Sequence, residues 1–408
     1  MTVVGPLTVM GLLTIGAVVG VWFLRREWIQ FVVAATAVFP QTAALIFGDN
    51  GFPLFYLAVV LIALLSAPYL LFAIARPGGV PALTARRWGW PDLIAIVLLV
   101  WAGIITILGP RVFAGMGVFA PELGIGAIDT VPLEAGLGNI AQLGYLSIAV
   151  MFLLLAGRLL PIDRRMLGAV VWLAVGLATL RLVTESSWPH ELLQNMPGFN
   201  YATPERLSGT LHEPSVLGMY LVAAAAYFAC RLRVRGTARV GATVGLGLVG
   251  VDFIANNSGT ALLGLALVAA LGVAVGAWRI VATSRFTVGP WLIAIAVIVT
   301  GAALTQLPLI YSMTVGYAAD KAGSASFSER SGSNARSWEI LVESFGAGIG
   351  LGSNRPSSLF FLVLSCLGLI GITLLATLVV LALRRAGRIP GAVPAAWTLV
   401  AVDRKSVV

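Results

Sequence analysis

The chain has 408 residues, of which 59% are hydrophobic and only 11% are charged, and its mean hydropathy is +0.97. A water-soluble globule usually has about a quarter of its residues charged, so this composition excludes an ordinary soluble domain and predicts a polytopic membrane protein. The net charge of +9 comes almost wholly from arginine, and in such a protein it indicates topology rather than binding to nucleic acid.

Both cysteines, Cys230 and Cys366, lie in apolar runs of the sequence. They predict neither a disulfide framework nor a metal site. We expect both to be ordinary buried membrane residues.

Apolar runs of about 20 residues, the length that crosses a bilayer, follow one another along the chain. We predict spans at 5–24, 28–47, 54–75, 92–108, 137–156, 166–183, 211–230, 238–254, 258–277, 289–306 and 357–383. A further apolar run at 392–402 is typical of a twelfth helix that stops short. The first run lacks a basic start and a small-residue cleavage site, which favours a span over a signal peptide. The predicted fold is all-α, with about 11–12 transmembrane helices in a single integral membrane domain over residues 1–408.

Arginines fall in every second connection between these spans. They follow the odd-numbered spans, with Arg25 and Arg26 after the first and Arg384 and Arg385 after the last, and basic connections face the cytoplasm. The other connections are acidic or mixed, beginning with Asp49. This alternation predicts that those connections and the amino terminus lie outside the cytoplasmic membrane.

Three outward connections are long, at 109–135, 184–209 and 307–356. We expect the functional site on the outer face, in the loops 184–210 and 307–356. The inward connections are too short for a nucleotide-binding fold, and the sequence contains no GxxxxGK[ST] phosphate loop. ATP hydrolysis by this chain is therefore not expected.

The 184–210 loop leads into the seventh span through Arg206-Leu-Ser-Gly-Thr-Leu-His-Glu-Pro-Ser-Val-Leu-Gly. Pro214 fits the first turn of a helix and Glu213 fits its positive end, so one interpretation is helix capping. The other is functional, because ionisable groups at membrane depth are costly and usually serve a purpose. In that case a water-filled cavity is lined by Arg206, His212, Glu213 and Ser215.

The stretch Asp252-Phe-Ile-Ala-Asn-Asn-Ser-Gly-Thr joins the eighth and ninth spans. Asn257 and Ser258 are turn-forming residues, and a hairpin between two membrane helices needs such residues. A structural turn is therefore favoured. The alternative is that this amide and hydroxyl, at the start of a helix, bind a sugar or a phosphate.

The 307–356 loop contains a predicted amphipathic helix that begins at about Ala335 and is capped by Ser333 or Asn334. Its spacing gives one charged and one apolar face. The charged face carries Arg336, Glu339 and Glu343, and the apolar face carries Trp338, Leu341 and Phe345. We expect this helix to lie along the membrane surface with its aromatic side in the interface.

Arg330 and Arg336 of this loop have a structural and a functional interpretation. In the structural one, Arg330 pairs with Glu329 and Arg336 pairs with Glu339 on the helix surface. In the functional one, both arginines bind a diphosphate, because a guanidinium binds phosphate oxygens bidentately and keeps its charge.

Four segments in matching order, over roughly residues 200–375, resemble the O-antigen ligase and polymerase superfamily. They are RLSGTLHEPSVLG, NNSGTALLGL, SERSGSNARSWEIL and GIGLGSNRPSSLFFLVLSCLGLIG. The HEPS element is similar to that of bacterial exopolysaccharide polymerases. The resemblance implies a GT-C-like integral membrane glycosyltransferase that transfers a glycan from undecaprenyl diphosphate to an acceptor sugar hydroxyl. It implies no nucleotide sugar and, in the ligases, no metal, so we expect no cofactor.

The resemblance also implies roles for individual residues. Arg206 matches the arginine that closes the first outward motif, and Arg330 or Arg336 matches that of the second. These arginines would neutralise the diphosphate leaving group. The substrate-binding positions that we assign are Ser215, Asn257, Ser258, Asn334, Trp338, Asn354 and Arg355.

The general base differs from the family pattern. Ligases carry a histidine after the GxG segment, where this chain has Arg355-Pro-Ser-Ser. The base that deprotonates the acceptor hydroxyl is then Glu213 or His212.

The predicted function is polymerisation of a cell-surface polysaccharide from an undecaprenyl-diphosphate-linked donor on the outer face of the cytoplasmic membrane. Its expected partners are the lipid-linked glycan, an acceptor glycan, the lipid bilayer and other polysaccharide-assembly proteins, with no nucleic acid. One alternative is ligase-like transfer to another acceptor. Another is a multi-span transporter of lipid-linked or small solutes, in which broken helices are natural, although the two halves show no convincing duplication. A structural or regulatory protein leaves the clustered outward arginines unexplained.

Overall fold

A computed structural model describes most of the chain. It covers residues 3–4, 6–48, 50–75, 89–119, 130–159, 163, 165–197, 206–211, 213–232, 236–258, 264, 325–356 and 358–388. The tenth predicted span and the run at 392–402 lie outside the described residues, as does nearly all of the ninth. The total number of spans therefore stays a prediction.

Helices account for most of the described residues. They are α1 (Val9–Leu24), α2 (Ile29–Thr36), α3 (Leu54–Ala75), α4 (Trp90–Val112), α5 (Leu137–Leu159), α6 (Arg165–Val183), α7 (His190–Leu193), α8 (Pro214–Arg231), α9 (Thr237–Asn256), α10 (Ala325–Glu343) and α11 (Leu359–Arg388). Six of them, α4, α5, α6, α8, α9 and α11, are long and apolar enough to cross a membrane. The chain is thus a mostly helical, membrane-embedded protein, and the helices predicted from 54–75 through 238–254 and at 357–383 are confirmed within a few residues.

Two small antiparallel sheets accompany the helices, and the sequence did not predict them. One has the strand order β1 (Val3–Val4), β2 (Leu7–Thr8), β3 (Ala43–Phe47) and β4 (Asn50–Pro53). The other pairs β5 (Gly117–Val118) with β6 (Val131–Pro132). The first predicted span consequently begins late, because Thr8 belongs to a strand and its hydroxyl caps α1 by accepting from the Gly11 N–H at 3.0 Å.

The prediction of a continuous second span at 28–47 is wrong. Only α2 is helical there, and the apolar stretch after it forms β3. Pro40 lies between them, and proline ends a helix because it lacks a backbone N–H and restricts the residue before it. Hydropathy alone does not separate a short apolar strand from a helix. Because Leu7 pairs with Leu45, the chain still returns to the beginning of α1, as a full span would.

Two further predicted boundaries are wrong. Asp252 does not begin the turn after the eighth span, because α9 continues to Asn256 and buries Asp252 against the Thr179 hydroxyl, which donates to it at 3.0 Å. The amphipathic helix α10 begins ten residues earlier than predicted, at Ala325. Ser333 lies inside it and donates to the Arg330 carbonyl at 3.0 Å. Serine side chains can bond to the preceding turn in this way instead of capping a helix.

The helices pack in an order that differs from their order in the chain. The helices α6, α8 and α9 form one group around Val175, Leu221 and Phe228. The helix α2 packs against α6 of this group and also against α1 and α3. The helix α5 packs between α3 and α4, and α11 packs against α4. Gly89, just before α4, adjoins Arg385 near the end of α11, so these two helices are antiparallel.

A glycine-rich segment at 346–352 follows α10 in the chain and packs between α4, α5 and α11. The Gly350 N–H donates to the Cys366 carbonyl at 2.8 Å, and the Leu351 N–H donates to the Thr106 hydroxyl at 3.0 Å. A methyl group at Gly350 would lie 2.8 Å from the Cα atom of Thr106, and its φ of +96° favours glycine. This part of the predicted family motif therefore serves close backbone packing and fixes the end of α10.

Candidate functional site

The 206–211 segment is a non-helical stretch just before α8, and neighbouring elements satisfy its polar groups. The Leu207 N–H donates to the Ala255 carbonyl at 3.1 Å, and Asn256 Nδ2 donates to the Leu207 carbonyl at 2.6 Å. The Thr210 hydroxyl donates to the Val38 carbonyl at 2.6 Å. Irregular backbone at membrane depth is tolerated only when protein groups satisfy it, so these bonds explain how the segment keeps its shape.

Arg206 lies on the carboxyl-terminal end of α9. Its Nε donates to the Asn256 carbonyl at 3.3 Å, and its Nη2 donates to the Asn257 carbonyl at 2.9 Å. The end of a helix carries partial negative charge, which suits a guanidinium. The third nitrogen, Nη1, has no hydrogen-bond partner among the residues that the structure describes. Two of the three guanidinium nitrogens therefore hold Arg206 against the end of α9.

Glu213 and Pro214 begin α8 as predicted, with Pro214 in the first turn and Glu213 immediately before it. The Ser215 hydroxyl donates to Glu213 Oε2 at 2.7 Å, and Nη2 of Arg330 lies 3.7 Å from the same oxygen. The side chain of Arg330 is 47% exposed and that of Glu213 is 21% exposed. This long, solvent-accessible ion pair joins α10 to the beginning of α8.

Arg336 is occupied by other protein groups. Its Nε donates to the Gly117 carbonyl at 2.9 Å, its Nη1 donates to Glu339 at 2.8 Å and to Glu343 at 2.7 Å, and its Nη2 donates to Glu343 at 3.0 Å. The hydrogen bonds to Glu343 raise the pKa of Arg336, although partial burial opposes them. The predicted pair with Glu339 is confirmed. These contacts favour a role for Arg336 in fastening α10 to β5 over phosphate binding.

Asn354 is buried in a polar network beneath α10. Its Oδ1 accepts from the Phe119 N–H at 3.1 Å, and its Nδ2 donates to the hydroxyls of Ser337 at 2.9 Å and Ser365 at 3.0 Å. Arg355 follows it with an exposed side chain and donates its backbone N–H to the Phe119 carbonyl at 3.0 Å. The contacts of Asn354 favour a structural role over substrate binding.

The apolar face of α10 differs from the prediction. Trp338 is 54% exposed, but Leu341 is buried beside Ile340. The exposed apolar row continues through Val342 to Phe345, which is 93% exposed and lies beyond the end of the helix. The prediction that Leu341 shares a face with Trp338 and Phe345 is wrong, because Leu341 lies on the buried side of α10 together with Ile340.

The remaining predicted site residues have varied positions. Asn257 ends α9 in the left-handed conformation with a φ of 44°, and it contributes its carbonyl to Arg206. Ser258 follows it and is buried, whereas Asn334 on α10 is partly buried. His212 lies outside the described residues. The structure thus places Arg206 against Asn257 at the end of α9 and joins Glu213, Ser215 and Arg330 at the beginning of α8. Arg336 and Asn354 belong to contacts around β5 and α11.

Sequence reasoning missed Arg181 and the part that Asn256 plays. Arg181, in the last turn of α6, is only 8% exposed and contacts the 206–211 segment. Asn256 joins Leu207 to Pro214 by donating to both carbonyls, and its buried Oδ1 has no hydrogen-bond partner in the part of the chain that the structure describes. The sequence does contain a signal for Arg181, because it is a lone arginine in the apolar run AVGLATLRLV, and charges within membrane spans are rare.

No family model matches this chain, and no curated protein matches it. The fold and the site define a mostly helical membrane protein with arginine, carboxylate, hydroxyl and amide groups gathered at one end of α8 and α9. Among the described residues there is no group of three or more His, Cys, Asp or Glu that could hold a metal ion.

Proposed function

We propose that this protein is a GT-C-type membrane glycosyltransferase of the O-antigen ligase and polymerase kind, which polymerises a cell-surface polysaccharide. The observation that carries the proposal is the contact between Arg330 of α10 and Glu213 of α8, beside the segment that holds Arg206. A cation from a distant part of the sequence thereby meets the carboxylate that follows Arg206 by seven positions. Transfer from a lipid diphosphate needs these groups.

The reaction breaks the bond between the anomeric carbon of the donor glycan and a phosphate oxygen. Negative charge then builds up on the undecaprenyl diphosphate leaving group, and guanidinium groups stabilise that charge in the transition state. Within the described part of the chain Nη1 of Arg206 has no hydrogen-bond partner, and Arg330 is half exposed. Its pairing with Glu213 is weak, as ion pairs accessible to solvent generally are, so Arg330 can turn to a phosphate at small cost.

The acceptor sugar hydroxyl attacks the anomeric carbon and forms the new glycosidic bond. Its proton passes to a general base, and Glu213, the carboxylate that contacts Arg330, takes this role. The Ser215 hydroxyl donates to Glu213 Oε2 at 2.7 Å and helps to orient the carboxylate. Arg336 and Asn354 enter this proposal as residues that fix α10.

The distribution of arginines supports an outward-facing site. Arg231 ends α8 and Arg385 lies near the end of α11, whereas the proposed site adjoins the beginning of α8. Arginine-bearing ends face the cytoplasm. The site would then lie on the outer face of the cytoplasmic membrane, where lipid-linked glycans are available.

A gel profile of surface glycan from a deletion strain tests the proposal. Glycan of a single repeat would identify a lost polymerase, and full-length glycan left on its lipid carrier would identify a lost ligase. An unchanged profile would contradict both. Solute uptake by vesicles that depends on this protein, with no change in glycan length, would support the transporter alternative instead.

A further inference from the structure

Arg181 is a buried cation that the proposed reaction does not use directly. It lies in the last turn of α6 and is 8% exposed. Its Nη1 donates to the Ser208 hydroxyl at 2.5 Å and to the Gly209 carbonyl at 2.6 Å. Both partners belong to the segment between Arg206 and Glu213.

The backbone makes a tight turn where Arg181 contacts it. Gly209 has a φ of +60°, and the Leu211 N–H donates to the Ser208 carbonyl at 3.0 Å. The turn is connected to α7 as well, because Gln194 Nε2 donates to the Leu211 carbonyl at 2.8 Å. This turn lies between Arg206, which contacts the end of α9, and Glu213, which immediately precedes α8.

The energetics of burial also point to a specific task. A guanidinium buried in protein is costly unless it is paired and hydrogen-bonded, and the two bonds of Nη1 go to a hydroxyl and a carbonyl rather than to a carboxylate. Hydrogen bonds from a charged donor are short and about twice as strong as neutral ones. Arg181 therefore holds the turn more firmly than neutral side chains at the same position would.

We propose that Arg181 is a positioning residue that holds the 208–211 turn and thereby fixes Arg206 and Glu213 relative to each other. The importance of that spacing for glycan transfer rests on the proposed function. The contact by which Arg181 holds the turn does not depend on the proposed function, and it can be measured without any substrate.

The test measures maleimide labelling of a Leu211→Cys variant of the full-length protein in detergent. Its background is Cys230→Ala, because the remaining cysteine, Cys366, is fully buried. Arg181→Met should raise the labelling rate about tenfold, the factor that hydrogen bonds to a charged group typically contribute. Arg181→Lys keeps charge and donors and should restore slow labelling. The same variants without the added cysteine are scored for surface glycan.

Arg231→Met is the matched control. Arg231 also ends a membrane-spanning helix and donates to a hydroxyl, that of Tyr227 at 2.9 Å, but at the opposite end of α8. Its loss should leave labelling at position 211 unchanged. Should Arg181→Met fail to insert, Ser208→Ala removes one of the two acceptors and should raise labelling by itself.

Unchanged labelling in Arg181→Met, or in Ser208→Ala when the first variant is lost, would overturn the inference. Fast labelling in Arg181→Met with slow labelling in Arg181→Lys supports it. If labelling is fast and surface glycan is still normal, Arg181 holds the turn but the turn is not needed for glycan synthesis. That result contradicts a role of the Arg206–Glu213 spacing in glycan transfer and leaves the hold of Arg181 on the turn standing, whereas an unchanged glycan profile in the deletion strain would contradict the proposed function itself.

Discussion

At the scale of single residues, two arginines of one helix differ entirely in their surroundings. Arg336 has all three nitrogens bonded to Gly117, Glu339 and Glu343. Arg330 instead forms a long, solvent-accessible ion pair with Glu213. The pair of Arg336 with Glu339 could be predicted, because residues three apart on a helix are neighbours. The contact of Arg330 with Glu213 joins residues more than one hundred positions apart, and local spacing says nothing about it.

We expect Arg336→Ala to destabilise the protein. The substitution leaves the Gly117 carbonyl and two carboxylates without their donor, which should lower the free energy of unfolding by about 1–3 kcal/mol. Thermal unfolding in detergent measures the change, with Arg239→Ala, an exposed arginine at the beginning of α9, as control. Full stability combined with loss of surface glycan would instead favour phosphate binding by Arg336.

At the scale of elements, hydropathy located the long helices but not α2, β3 or the beginning of α10. Apolar length is a strong signal for α4, α5, α6, α8 and α9, where each run coincides with one helix. It fails at 28–47, because a proline and a strand interrupt an apolar run. It also fails for α10, whose first half is rich in serine and contains Gly332 and is helical despite its low intrinsic propensity.

The early start of α10 has a testable consequence at Gly332. This residue is exposed inside the helix, and a methyl group there would have no atom within 4 Å. Gly332→Ala should therefore raise the free energy of unfolding by about 0.5–1 kcal/mol, and Gly332→Pro should lower it by about 3 kcal/mol. Melting temperatures in detergent report both changes. A helix that began only at Ala335 would show neither effect.

The segment after α10 should be intolerant of side chains. Gly350→Ala places a methyl group 2.8 Å from the Cα atom of Thr106 and forces alanine to a φ of +96°, so we expect a loss of about 3 kcal/mol or more. Gly103→Ala is the control, because a methyl group at that position in α4 meets nothing within 4 Å. Equal stability of the two variants would contradict the close packing of this segment.

At the scale of the whole molecule, composition alone defines a membrane protein and the alternation of charges predicts its orientation. The order in which the helices pack was not predictable, because an apolar run does not indicate which other helix it packs against. The site was predictable in part. Arg206 and Glu213 lie in a conspicuous polar motif. Arg181 belongs to a predicted span and Asn256 to a predicted turn, and only the structure shows their contacts with that motif.

The central claim is that Arg206 and Arg330 act on a lipid-linked diphosphate next to Glu213. The most direct measurement is the gel profile of surface glycan from strains that carry Arg206→Ala or Arg330→Ala, compared with Arg239→Ala at equal protein levels in the membrane. We predict that the first two strains lose long glycan chains, because the leaving group is no longer stabilised, and that the third keeps them. Long chains of normal length in both Arg206→Ala and Arg330→Ala would contradict the account.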